Sequence, residues 1–256
     1  VVDWPQMQDV QRAFFRAAVP NQDIPQDHAI FASFYRLAAD HGIKWVLNGS
    51  NFACESILPQ AWGYDAGDLR HIRAIHRLYG QNPLRRFPNM GYAKYAFKFK
   101  VLHRLKIVKP LNLIRYRKDE AISTLEREFG WRYYGGKHYE SRFTKFFQGW
   151  YLPTKFGYDK RLAHLSSLIL SGEITRDQAL AELNRDHYPQ SELREDMVYM
   201  QKKLGVSLEE FDSLMKMSPR HHEDYPSSQL LLRGLRRIRC LLRPAARDLS
   251  ITPSGI

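Results

Sequence analysis

The side chains best equipped for chemistry are crowded between Gly130 and His164. The run reads Gly130-Trp131-Arg132-Tyr133-Tyr134-Gly135-Gly136-Lys137-His138-Tyr139-Glu140-Ser141, then Arg142, Lys145 and Gln148, then Lys155, Asp159, Lys160, Arg161 and His164. Glycines let a backbone come close to a ligand. Lysine and arginine meet phosphate or carboxylate, and aromatic rings cover the face of a sugar or a base. A histidine titrating near neutrality can move protons. The composition is that of a loop region that approaches a charged ligand.

A second polar segment, Asn48-Gly49-Ser50-Asn51-Phe52-Ala53-Cys54-Glu55-Ser56, directly follows the apolar stretch Ile43 to Leu47. That stretch has the composition of a short strand buried on both faces of a parallel sheet. Turns at the C-terminal ends of such strands are where open α/β sheets take their ligands. From position alone, an ordinary strand-to-helix turn reads the same way.

Several familiar chemistries are excluded. Gly130 to Lys137 misses the phosphate-loop spacing by one residue, and His138 stands where Ser or Thr is required. His138, His164 and Glu140 have no zinc-site spacing, and His71 and His76 are five apart, off a common helix face. His221-His222 falls in a polar linker and is expected to be solvated. No Gly-x-Ser-x-Gly elbow is present. The two cysteines, Cys54 and Cys240, make neither a metal site nor a disulfide framework, which fits a reducing cytoplasm. No metal ligands are expected in this chain.

The elements that would position these groups begin as α/β. Val1 to Trp4 reads as a strand end, and Pro5 as the start of a helix with Met7, Val10, Phe14 and Ala17 on one face. Val19 to Gln26 is polar enough for a binding loop, after which Asp27 caps a helix with Ile30, Phe31, Phe34, Leu37 and Ala38 inward. The expected fold is the remainder of a doubly wound parallel sheet, followed by a mainly helical C-terminal region.

Beyond residue 60 the pattern turns helical. Asp68 caps a helix bearing Leu69, Ile72, Ile75 and Leu78, and Tyr92, Tyr95, Phe99 and Leu102 recur at helical spacing. Ile107-Val108 is a short strand, and residues 118 to 129 form a helix with Ala121, Ile122, Leu125 and Phe129 inward. Thr175 with Gln178 and Ser207 with Glu210 are capping boxes; Ser191 caps the helix between them, which Gly205 stops. The implied division is 1–115 as an α/β part, 116–218 as a helical substrate or partner part, and 219–256 as a basic, partly disordered tail.

The chain of 256 residues carries a net charge of +12. Nucleic acid, anionic lipid or a phosphorylated small molecule would each suit that sign. Most of the excess is spread through mixed-sign helices rather than along one stripe, which argues against a nucleic-acid partner. The rest lies after Gln229, where Leu231, Leu235, Ile238 and Leu242 share a face among Arg233, Arg236, Arg237 and Arg239. This tail is either a loosely attached basic end or a weak contact with an anionic membrane or a partner. No apolar run is long enough for a membrane-spanning helix.

Longer strings carry a resemblance. Val19-Pro20-Asn21 through Asp27-His28-Ala29-Ile30, Asn48-Gly49-Ser50-Asn51, Ile57-Leu58-Pro59 with Trp62-Gly63-Tyr64, and Asp68-Leu69-Arg70 with Ala74-Ile75-His76 are similar to the N-acetyl-sugar amidotransferases of surface-polysaccharide synthesis. The strongest match is Gly130-Trp131-Arg132, Tyr134 through Ser141, Phe146-Phe147-Gln148-Gly149, Lys155-Phe156-Gly157, Asp159-Lys160-Arg161 and Ala163 through Ile169. The resemblance covers roughly residues 1 to 215.

The resemblance implies an ATP pyrophosphatase of the adenine-nucleotide alpha-hydrolase type. Such an enzyme converts the N-acetyl group of a nucleotide-linked sugar into an acetamidino group. The amide oxygen is adenylylated with loss of pyrophosphate, ammonia attacks, and AMP departs. Implied cofactors are ATP and Mg2+; implied partners are a glutaminase and a cyclase-like subunit that supply ammonia. Asn48, Gly49, Ser50, Asn51, Asp27 and His28 would face the nucleotide. Lys137, His138 and Glu140 would be catalytic, and Lys145, Lys160, Arg161 and His164 would bind the sugar nucleotide.

The family's Ser-Gly-Gly-x-Asp-Ser pyrophosphate loop and its N-terminal zinc cysteines do not occur in these residues. They are expected upstream of Val1, and the chain by itself is expected to be inactive. A non-catalytic binding module and a tRNA-modifying relative of the same superfamily are the alternatives.

Overall fold

The computed structural model of the protein describes residues 3–136, 139–186, 188–229, 231, 232 and 234. Lys137, His138, Cys240, most of the arginine-rich tail and the expected strand end at Val1-Val2 therefore lie outside the described residues.

Asp3 starts the first helix, α1 (Trp4–Arg16), by accepting a hydrogen bond from Gln6 N, and Pro5 sits in its first turn. Its apolar face, Met7, Val10, Phe14 and Ala17, is buried against α4 (Leu69–Tyr79), which brings Ile72 and Ile75. Asp68 caps α4 through His71 N. Behind α4, Asp9 accepts from His76 Nε2 at 2.9 Å, Asn82 N at 3.0 Å and Gln81 N at 3.1 Å. The chain turns there at Gly80, where an added Cβ would stand 2.3 Å from His76 Nε2.

The segment expected as an open binding loop is packed instead. Gln22 is fully buried and donates from Nε2 to Val19 O and Phe14 O, while Gln11 donates to Gln22 O. These bonds satisfy the turn from inside. The second helix, α2 (Ile24–Asp40), begins four residues earlier than expected, and Asp27 lies in its first turn rather than at its cap.

Of the α2 face expected inward, Ala38 is buried but Ile30, Phe31, Phe34 and Leu37 range from 43% to 57% accessible; the helix otherwise buries Ile24, Pro25, His28, Ala29, Ala32 and Ala39. The strand β1 (Trp45–Leu47) buries only Val46. It pairs in parallel with β2 (Lys106–Val108), Val46 opposite Ile107, and these two strands make the sheet of the described residues. Trp45 is exposed beneath the ammonium of Lys106, 4.5 Å from its ring centre. Periodicity identified an apolar face, but no described element covers it.

Between the strands lie α3 (Phe52–Glu55), α4 and α5 (Tyr92–Lys94), the last continuing as a π-helical stretch through Leu102 that buries Phe99. After β2, α6 (Lys118–Phe129) is an outer helix with none of its residues fully buried; Leu125 and Phe129 are exposed, contrary to the inward face expected.

The helical remainder consists of α7 (Arg142–Phe146), a π-helical turn (Phe147–Tyr151), α8 (Leu152–Phe156), α9 (Lys160–Leu170), α10 (Arg176–Leu183), α11 (Gln190–Leu204) and α12 (Leu208–Lys216). Phe143, Phe146, Phe147 and Tyr151 form a core with Met200, Leu204, Phe211 and Leu214, and Phe15 of α1 enters the same core.

Thr175 and Gln178 make the expected capping box. Ser207 caps α12, but Glu210 turns its carboxylate to Arg16. Helix α11 starts at Gln190 after Pro189, so Ser191 lies inside it, and Gly205 ends it in the left-handed conformation.

Residues 220 to 228 return to α1 and α4. Arg220 N donates to Ala18 O, Tyr225 OH to Ala17 O, and Ser228 N to Asp68 Oδ2. His222, expected in a solvated linker, is 3% exposed. Asn21 N donates to its Nε2 (3.2 Å), so its Nδ1 carries the proton and donates to Nε2 of buried His71 (3.0 Å). No helix among the described residues is long and apolar enough to cross a membrane.

Candidate functional site

The polar turn after β1 is built from its own side chains. Asn48 N continues the ladder to Val108 O, Asn48 Oδ1 accepts from Ser50 N, and Asn51 Oδ1 caps α3 by accepting from Cys54 N. Helix α3 then lies against α9. Ser171 Oγ donates to Ala53 O, Ile57 N to Ser167 Oγ, and His164 Nδ1 stands 3.2 Å from Cys54 O. A carbonyl only accepts, so Nδ1 of His164 holds the proton.

This junction forms one wall of a cavity of about 830 Å3. Cys54 and Glu55 come from α3, and Lys160, Arg161 and His164 from α9. Tyr133, Gly135 and Gly136, the start of α6, and Gln148 and Gly149 also line it. The last two sit on the π-helical turn, a geometry often found at functional sites. Glu173 accepts from Lys118 N and so pins the start of α6 to the cavity.

The charge inside is mixed. Lys118, Lys160, Arg161 and Arg185 face Glu55, Asp119, Glu173 and Glu182. Arg161 is held by Asp159, which also caps α9, and donates onward to Arg185 O. Gln148 donates to Asp23 Oδ2 at 3.2 Å. Asp27, one turn on from Asp23, has its pKa pushed up to about 7 by burial and by the Asp23 charge, while Lys160 pulls it down. Asp27 is therefore within electrostatic reach of Lys160 but does not line the cavity.

Of the residues singled out from the sequence, Lys160, Arg161 and His164 line the cavity together. Asn48 to Asn51 do not line it; the helix they start does. His28 is buried in a structural position, its Nδ1 2.6 Å from Ala66 O, its Nε2 accepting from Met90 N and its ring stacked on Phe87. Burial lowers its pKa. Lys145 is not itself in the lining; it pairs with Glu192 of α11 beside the rings of Tyr188 and of Tyr139, a lining residue. Glu140 is exposed and bonded to Tyr134. Lys137 and His138 fall outside the described residues.

Sequence reasoning did not pick out Glu55, Lys118, Asp119, Glu173, Glu182 or Arg185. Each sits in an ordinary-looking amphipathic helix or turn, and only the packing of α3, α6 and α10 around α9 gathers them. The one available signal was the acidic and basic start of α6.

No curated protein and no solved structure matches the chain at a significant level. Residues 140–239, which contain α7 to α12 and the cavity's α9 wall, match the family model described as LPS biosynthesis protein WbpG-like, C-terminal domain, and this match supports a role in lipopolysaccharide biosynthesis.

Proposed function

We propose that this chain provides the sugar-binding part of an ATP-dependent amidotransferase that converts an N-acetyl group on a nucleotide-linked sugar into an acetamidino group. The observation that carries the reading is the shared cavity: α3, which follows the sheet's polar turn, and the Lys160-Arg161-His164 face of α9 line the same space. The lipopolysaccharide family match over the α9 region supports it.

The mixed lining suits a hydroxyl-rich sugar with anionic attachments better than a bare polyphosphate. Lys160 and Arg161 are the cations for a diphosphate, Arg161 in a fixed orientation. The carboxylates and Gln148 suit sugar hydroxyls and amide N–H groups. In the neutral ring of His164, the Nδ1 proton is engaged by Cys54 O, which makes Nε2 the proton-accepting atom.

The described residues do not fit ATP with its metal. Asn48 and Asn51 spend their side-chain oxygens on the turn's own backbone, and no group of three His, Cys, Asp or Glu among the described residues is placed to hold a cation. The nucleotide phosphates are therefore not assigned to this surface.

The test is to incubate the protein, as its complete gene encodes it, with ATP, ammonia and nucleotide sugars bearing N-acetyl groups. Mass spectrometry should show replacement of oxygen by NH, with AMP and pyrophosphate formed. Sugar-nucleotide binding without any conversion would instead favour the non-catalytic module.

A further inference from the structure

Three aromatic rings cluster beside the cavity, on the loop between α6 and α7, and one of them, Tyr133, is in its lining. Tyr133 and Tyr134 stack with ring centres 5.8 Å apart and planes inclined by 29°, and Trp131 meets Tyr134 edge-on at 5.4 Å. Tyr133 is 41% and Tyr134 42% exposed. Tyr133 lines the cavity, and the ammonium of Lys118 lies 5.6 Å from its ring centre. The loop's shape depends on two left-handed glycines, Gly130 (φ 62°) and Gly135 (φ 85°), one on each side of the rings.

Two exposed rings stacked on each other, with a third edge-on, have an apolar face to offer a ligand. The adjoining cavity is lined with charges and amides, which suit phosphate and sugar. The rings offer flat π surface, and the ammonium of Lys118 stands beside Tyr133.

Resting on the nucleotide-sugar reading above, we propose that Trp131, Tyr133 and Tyr134 form a stacking platform for the nucleobase of that ligand. The base lies on the rings, the diphosphate passes Lys118 towards Lys160 and Arg161, and the sugar occupies the interior. Stacking reads a π face rather than a hydrogen-bond pattern, so the platform tolerates different bases.

The test uses calorimetry with three probes: UMP, GMP and N-acetylglucosamine 1-phosphate, which has sugar and phosphate but no base. All three should bind the unaltered protein. Tyr133→Leu, which keeps apolar bulk but removes the ring, should weaken UMP and GMP about fivefold or more, the lower end of what one stacked base contributes. Its affinity for N-acetylglucosamine 1-phosphate should stay within about twofold, and Tyr133→Phe should restore nucleotide binding.

Equal weakening of all three probes by Tyr133→Leu would show that the rings only hold the loop, and overturns the proposal. So does a Tyr133→Leu protein that binds UMP as well as the original. Binding of the sugar phosphate without the nucleotides sinks the platform alone. If no probe binds, the sugar-nucleotide reading of the cavity falls with it.

Discussion

His164 Nδ1 donates to the carbonyl oxygen of Cys54 across 3.2 Å, and this bond joins the helix bearing the cavity's cations to the helix that follows the sheet. The bond holds the two helices together, and under the proposed function it also fixes the tautomer of His164; two substitutions separate these roles.

His164→Ala removes both roles, and the loss of the bond should lower stability by about 1 kcal/mol in urea unfolding. His164→Asn keeps an N–H donor for Cys54 O, so its stability should stay close to the original. It has no basic nitrogen, so amidine formation should fall at least about 100-fold, as expected for loss of a general base. Normal turnover in His164→Asn would remove His164 from the chemistry.

Asp9 is 1% exposed and accepts from two backbone amides just past α4 and from His76. Burial alone would raise its pKa, but the amides of Asn82 and Gln81 and the His76 ring outweigh that and leave it below the ordinary carboxylate value. Asp9→Ala would strand these donors in the interior and should cost about 3 kcal/mol. Urea unfolding followed by circular dichroism measures it; a loss below about 1 kcal/mol would show that water replaces the carboxylate.

The His71–His222 pair makes stability depend on pH. Burial depresses His71 to about 4 and His222 to about 3 from an ordinary 6.5. For His222 the neighbouring His71 adds to the depression, and protonating either ring would set two donors against each other. The unfolded chain takes up these protons below about 6.5 and the folded chain does not. Stability is therefore full above that value and falls as pH drops towards 4, by at most about 1.4 kcal/mol per pH unit per ring. Urea midpoints at pH 7.5, 6.0 and 5.0 measure the slope, and His222→Gln should make it shallower. An unchanged midpoint at pH 5.0 would contradict the burial of the pair.

What was legible in the sequence was mostly local. Pro5, Asp68, the Thr175–Gln178 box and Gly205 each act on backbone within a few residues, so residue type alone placed them, whereas Asp3, the cap of α1, reads from the sequence as part of a strand end. The Met7-Val10-Phe14 face was legible because its period matches the helix. Failures came where the partner is distant. His222 looked solvated among polar neighbours, yet its contacts are Asn21, Tyr64 and His71. The pairing of Lys145 with Glu192 is equally invisible from its neighbourhood.

The α2 face shows a different limit, because amphipathic spacing says which side is apolar and not whether anything lies on it. The candidate site was legible in part for the same reason. Lys160, Arg161 and His164 were found by composition on one helix, whereas the carboxylates opposite them arrive on α3, α6 and α10.

Helix α1 turns Met7, Val10 and Phe14 into one core and Phe15 into the other. A rod gripped on both flanks leaves neither half a complete interior of its own. Cutting the chain within 17 to 23 should therefore not release two separately folded pieces, and loss of α1 order should melt α7, α8, α11 and α12 along with α4 in one concerted transition.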